Sequence, residues 1–276
     1  MTCYNRRVST LQCLNSVYSQ SQREPRSLTL YIVDDKSKDG TAEAIKAEYP
    51  EVKLIAGTGD LYWNRGMHVA FEEAMKEDFD YYLWLNDDTL LYPNAFDTMF
   101  ETMHGLQKEG IISIVTGATC DPESGKMTYG GINLVGKLRR ELVWIDPMQD
   151  MSQACDTMNG NCTLIPRAVV QKLGNLDPAF HHSFGDMDYG FRANRAGYKV
   201  YLAPGFIGTC RGNSKAGTWR DETAPLSVRW RNLNSAKGSP FSQWSLYCRR
   251  YLGPLWPLYA VSPYVKTLAS GLLKSR

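Results

Sequence analysis

A chain of 276 residues with 43% hydrophobic side chains is long enough for one large α/β domain, alone or with an appendage. No uninterrupted apolar run reaches the length needed to span a bilayer, and no charged-then-apolar leader precedes the fold. Seven cysteines, an odd number with no C-x-x-C pair and no zinc-like spacing, point to reduced thiols and a cytoplasmic compartment.

The 31 basic and 29 acidic residues nearly cancel, but they are unevenly placed. From Ser227 to Arg276 there are eight Lys/Arg and no Asp/Glu, leaving 23 basic against 29 acidic residues elsewhere. Such asymmetry points to a partner surface for the tail. There is no low-complexity tract and no internal repeat. Asn161-Cys162-Thr163 spells a glycosylation sequon, read as chance where no leader is present.

Asn5 is a candidate N-cap for a helix to about Gln20, with Leu11, Leu14, Val17 and Tyr18 on one face. Leu28–Val33 reads as a strand ending on Asp34-Asp35, followed by a turn over Lys36–Gly40 and a short helix over Thr41–Glu48. Val52–Ala56 is a further strand. Gly57–Gly66 reads as a glycine-rich, aromatic loop leading into a helix near Met67–Lys76. Tyr81-Tyr82-Leu83-Trp84-Leu85 is the run of a buried central strand, and it stops on Asn86-Asp87-Asp88. A helix over about Asn94–Lys108 and a strand over Ile111–Thr116 complete an alternating, mostly parallel sheet flanked by helices.

After Cys120 the pattern changes. Met127–Leu134 and Leu138–Ile145 suggest a hairpin around Gly136-Lys137. Thr163–Ile165 is a short strand after the polar turn Asn159-Gly160-Asn161, and Arg167–Leu173 is a short helix. Phe180–Arg192 enters a helix stopping at Gly197, and Tyr198–Leu202 is another strand, so the sheet becomes mixed.

Ligands of open α/β sheets bind beyond the carboxyl ends of the strands. Two strands end in Asp pairs, and Asp186 and Asp188 form a third acidic cluster. Adjacent carboxylates need a cation, and Mg2+ or Mn2+ shared with substrate phosphates meets that need. The alternative is that such aspartates cap helices or face solvent. No P-loop, no G-x-G-x-x-G and no G-x-S-x-G elbow occurs, which argues against triphosphatase, dinucleotide and serine hydrolase chemistry.

Thr2-Cys3-Tyr4-Asn5-Arg6, Val33–Thr41, Leu85–Thr89 and Gly185–Arg192 together resemble, in order and approximate spacing, the successive motifs of family 2 glycosyltransferases. The resemblance covers roughly Thr2 to Cys210. Gly59-Asp60-Leu61-Tyr62-Trp63 further resembles a rhamnosyltransferase-like bacterial subgroup that builds surface polysaccharide. The resemblance implies a GT-A fold and inverting transfer from a nucleotide-diphosphate sugar, with a divalent cation. Nucleotide-binding roles fall on Thr2, Tyr4, Asn5, Asp60, Trp63 and Asp87, with Asp35 bonding the base edge and Asp34 as second candidate. Asp87 would face the ribose. Asp88 would ligate the metal, and Asp186 would be the general base. Asn159, Gly160, His182, Asp188 and Arg192 are acceptor or sugar candidates.

Each has an alternative. Asp34 could bond its own turn, Asp188 could cap its helix, and Trp63 could anchor its loop in the core. Asn159-Gly160-Asn161 could be an ordinary turn, and His181 and His182 could be solvated loop residues. Three departures from the family pattern stand out. Only Met1 precedes the Thr-x-Tyr-Asn motif where a buried strand is usual, and an incomplete chain is expected, because losing that strand exposes backbone groups. Gly185 stands where an acidic residue usually precedes the base. Cys210 stands where a histidine often helps hold the metal, which implies a weaker metal site.

The expected organisation is a catalytic domain over residues 1–225, its nucleotide half about 1–119 and its acceptor half about 120–225, followed by a helical tail over 226–276. In the tail Trp230, Trp244, Tyr247, Tyr251, Trp256 and Tyr259 alternate with Arg229, Arg231, Arg249 and Arg250, and Pro254, Pro257 and Pro263 are expected to break it into short helices. That composition suits contact with anionic lipid at the inner membrane face, the alternative being a helical pair packed on the domain. No nucleic-acid module is recognisable. The acceptor would be a surface glycan or lipid-linked saccharide. The rivals are a sugar-1-phosphate nucleotidyltransferase, which lacks its basic glycine-rich loop here, and a degenerate nucleotide-sugar binder.

Overall fold

Strand and helix alternate through the first half of the chain. The order is β1 (Thr2–Cys3), α1 (Arg7–Tyr18), β2 (Tyr31–Asp34), α2 (Thr41–Glu48), β3 (Lys53–Ala56), α3 (Tyr62–Ala74), β4 (Tyr81–Leu85), β5 (Leu90–Leu91), α4 (Ala95–Lys108) and β6 (Ser113–Cys120). There follow β7 (Met127–Tyr129), β8 (Gly131–Val135), β9 (Glu141–Trp144), β10 (Gln153–Cys155), β11 (Thr157–Met158), β12 (Cys162–Pro166), α5 (Arg167–Leu173), α6 (Gly185–Arg195), β13 (Lys199–Thr209), α7 (Leu226–Leu233), α8 (Phe241–Tyr251) and α9 (Trp256–Lys274). This computed structural model describes residues 1–20, 27–137 and 139–274. Leu138, expected to open the second arm of a hairpin, lies outside them.

Strands β1, β2 and β3 form a parallel sheet. The larger sheet runs β10-β13-β6-β12-β4, with β12 antiparallel to both β4 and β6 while β6 and β13 are parallel. The mixed second half is as expected. The insertion of β12 beside β4 was not, because a fully buried strand shows no alternation to tell parallel from antiparallel. β4 serves two cores, as a period of two requires. Tyr82 and Trp84 pack with Met67, Phe71 and Tyr189, while Leu85 packs with Leu14, Ile32 and Met99.

Strand β1 is two residues long, and the Met1 amine donates to Tyr31 O at 2.8 Å. Burial lowers that amine to a pKa of about 6. Beside it, between β2 and β4, is a cavity of about 470 Å³ lined by residues including Leu30, Phe71, Tyr82, Leu83, Met99 and Phe100.

Three expectations change in detail. Helix α1 begins at Arg7 with Arg6 as its cap residue, and the Asn5 side chain instead accepts from Lys38 N at 2.7 Å. Arg7 N donates to Asp39 Oδ2 at 3.0 Å, so the neighbouring turn supplies the carboxylate at this helix start. Second, the hairpin is β8 and β9, and β7 departs at Gly130, whose φ of 155° breaks the arm, to pair with β6. Third, Pro263 lies inside α9 without ending it. A proline leaves the carbonyl four residues back unpaired; that carbonyl, on Tyr259, accepts from Trp244 Nε1 at 2.9 Å.

The tail packs on the body through α8. Tyr247 and Tyr251 join Phe180 and Phe191 in one apolar cluster. Among the described residues, no helix is long and apolar enough to cross a membrane.

Candidate functional site

The carboxyl ends of β1, β2 and β3 lie side by side, since Cys3 pairs with Asp34 and Asp34 with Ala56. Asp35, just past this rim, is 5% exposed. Its Oδ1 accepts from Gly59 N at 2.7 Å, and its Oδ2 from Leu61 N at 2.9 Å and Tyr62 N at 3.3 Å. Leu61 and Tyr62 open α3, so a carboxylate just past β2 caps a helix remote in sequence. That explains why Tyr62–Gly66, expected as loop, is helical. Three donors leave room for about one more on a carboxylate. Asp34 is spent locally, accepting from the Ser37 hydroxyl and from Ser37 N at 3.3 Å, so its turn-bonding role is the one observed.

β4, in the larger sheet, ends at Leu85 opposite Cys162 of β12 and delivers Asn86, Asp87 and Asp88 beside the end of β1, where Arg6 and Thr10 reach the two carboxylates. Asp87 is 5% exposed, and burial first, then Asp88, lifts its carboxyl to about 6 against the opposing Arg6 guanidinium. Arg6 Nη1 lies 3.2 Å from Asp87 Oδ1 and 2.5 Å from Asp88 Oδ2. The sequence assigned Arg6 no role; the signal it left was a cation closing the first motif of a family pattern whose other motifs are acidic. Cys210 Sγ sits 3.5 Å from Asp88 Oδ1 and 3.6 Å from Asn161 Nδ2. Burial and Asp88 push the thiol to about 12. Among the described residues no group of three or more His, Cys, Asp or Glu is arranged to hold a metal. The Asp87–Asp88 pair nevertheless already accepts a cation, Arg6, through the hard oxygens that Mg2+ or Mn2+ prefers.

Asp186 stands in the first turn of α6. Its Oδ2 accepts from Gly160 N at 3.0 Å and its Oδ1 from Met187 N at 2.8 Å. Burial raises its pKa above the ordinary value, and those two N–H groups oppose the rise. A Cβ on Gly160 would come within 2.6 Å of the Trp63 ring and 3.3 Å of Asp186 Cβ, so these three residues converge. Trp63 Nε1 donates to Asn86 Oδ1 at 2.6 Å, and Asn86 N to Asn161 O at 3.0 Å, which ties α3, β4 and the 159–161 turn together. Asn159 Oδ1 accepts from Trp144 Nε1 at 3.0 Å. His182 Nδ1 accepts from Trp63 N at 3.4 Å, and burial holds that ring near a pKa of 4, hence neutral.

Gly185 has a steric reason. A Cβ there would lie 1.6 Å from Asn64 Oδ1, and Asn64 is fixed by donating to Asp177 O and Phe180 O. No side chain, acidic or otherwise, fits beside it.

Asp188 and Arg192 stand apart from this group. Asp188 is fully buried, paired with Arg192 at 2.8 Å and Arg250 at 2.7 Å, and accepts from Tyr251 Oη at 2.6 Å. Arg250 and Tyr251 belong to the tail helix α8, so this carboxylate links α6 to the tail. Thr2 is buried against Gly66, Tyr4 is 49% exposed at the rim, and Asp60 accepts from the Thr58 hydroxyl on the surface.

Residues 1–234 match the protein family described as Glycosyltransferase like family 2. An N-acetylglucosaminyl-diphospho-decaprenol L-rhamnosyltransferase of Mycobacterium tuberculosis is 21% identical over 209 residues, 67% of each chain. A mannosyltransferase of Pyrobaculum calidifontis, solved with GDP-Man and Mn2+, superposes with a TM-score of 0.53 at 17% identity, over 99% of this chain and 73% of that one. Residues 1–349 of S. aureus TarS, solved with UDP, superpose with a TM-score of 0.55 at 11% identity, over 93% of this chain and 70% of that one. The fold is the GT-A fold of these enzymes.

Proposed function

We propose a reaction from one premise: the chain belongs to glycosyltransferase-like family 2. The reaction is inverting transfer of a sugar from a nucleotide-diphosphate donor to a hydroxyl of a glycan or lipid-linked saccharide. The observation that carries it is the linkage of Asp186, Trp63 and the Asp87–Asp88 pair through Gly160 and Asn86.

Tyr4 and Trp63 line the nucleotide side, Thr2 supports the wall at Gly66, and the remaining acceptor capacity of Asp35 meets the base edge. Asp87 faces the ribose. Asp88 would hold a divalent cation, which would supply Lewis-acid charge to the leaving diphosphate. Asp186 removes the acceptor proton as the hydroxyl oxygen attacks the anomeric carbon from the face opposite the leaving group. Gly160 N–H and Met187 N–H orient the carboxylate for that proton. The lipid-linked saccharide follows the acceptor in the mycobacterial relative's name. Asp188 ties α6 to α8 through Arg250 and Tyr251, and Arg192 ties α6 to the end of α5 through Leu173 O and Asn175 O, so neither serves as an acceptor contact in this reading.

The tail supports contact with an anionic lipid surface. Leu258, Val261, Val265 and Leu268 on α9 are exposed at helical spacing, in a region without acidic residues.

A panel of nucleotide sugars screened with Mn2+ tests this reading by thermal stabilisation. At least one donor must raise Tm in the wild type, and the rise must shrink in Asp88→Asn. If no nucleotide sugar shifts Tm with or without Mn2+, the reading fails.

A further inference from the structure

We infer that Arg6 is a resident counter-ion which a divalent cation must displace from the Asp87–Asp88 pair, so that the cation and the donor's diphosphate bind cooperatively. The inference rests on the donor and cation site proposed above. One guanidinium nitrogen bridges the two carboxylates, at 3.2 Å from Asp87 Oδ1 and 2.5 Å from Asp88 Oδ2. A guanidinium keeps its proton in proteins, so it can yield these oxygens to another cation only by moving.

The structure allows that movement and limits it to the side chain. Arg6 caps α1, and its carbonyl accepts from Thr10 N at 2.8 Å. The neighbouring Asn5 is pinned through Lys38 N and Ser37 Oγ. The side chain itself is 46% exposed on a flexible stem. A cation alone must therefore work against the pair that Arg6 already makes. A bound diphosphate changes this, because it offers the released guanidinium new anionic oxygens. Each ligand then lowers the cost of binding the other, which is positive coupling.

The test titrates Mn2+ alone into the full chain and reads free Mn2+ by electron paramagnetic resonance. Arg6→Gln should bind Mn2+ about tenfold more tightly than wild type. Arg6→Lys, which keeps a competing charge, should stay nearer wild type, and Asp88→Asn should lose binding. If Arg6→Gln binds no tighter while Asp88→Asn still loses binding, the counter-ion inference fails and the cation site stands. If neither wild type nor Arg6→Gln binds Mn2+, both fall.

Discussion

Asp186 is held between opposed forces, burial that favours its neutral form and two backbone N–H groups that favour the carboxylate. Burial wins, so its pKa is raised. A general base works only when ionised, so activity is present at higher pH and is lost as pH falls through that raised value. The acid limb of kcat/KM should therefore lie above the ordinary carboxylate range, and a limb at or below it would contradict the role. The two glycines beside it make sharper steric claims. Gly185→Ala drives a Cβ into Asn64 and should cost roughly 1–3 kcal/mol of stability, read as a fall in Tm. Gly160→Ala pushes instead on the Trp63 ring and should lower kcat more than Tm. At this scale the carboxylates were legible, because Asp35, Asp88 and Asp186 punctuate the ends or starts of elements. Arg6, Asn64 and Asn86 were not, because their roles come from neighbours far away in the chain.

Helices α2 and α5 run over the residues that periodicity predicts. The start of α3 was misread as loop because its cap comes from Asp35, on another element. Pro263 does not end α9 for the same reason, the Tyr259 carbonyl that the proline cannot meet accepting from Trp244 instead. Trp244→Phe keeps the ring but removes that donor, and should cost about 1–3 kcal/mol by chemical denaturation. In α6, Asp186 and Asp188 are two residues apart and so project in different directions, one to Gly160 and one to the tail. Arg250 pairs with both Asp188 and Asp177. Arg250→Ala should cost about 2 kcal/mol, discounted from a fully buried pair because the arginine is partly exposed, and should quicken proteolysis near α8.

Across the whole molecule, the candidate chemistry gathers where the end of β4 meets the starts of α3 and α6, while the tail packs against α6 and turns an apolar face of α9 outward. If that face meets anionic lipid, Val265→Asp with Leu258→Asp should abolish sedimentation with phosphatidylglycerol vesicles and leave Tm nearly unchanged. The alternating half of the fold was legible because short apolar runs alternate with helix-length segments, and Gly and Asp punctuate them. The antiparallel placement of β12 was not, since its five residues are all buried. The account depends most on Asp186 acting on an acceptor at the rim where the donor binds. The direct measurement is nucleoside diphosphate release from the stabilising nucleotide sugar, with Mn2+, in wild type and Asp186→Asn. Release should fall about 10³-fold in the variant while the donor's thermal shift persists; release at the wild-type rate would contradict the account.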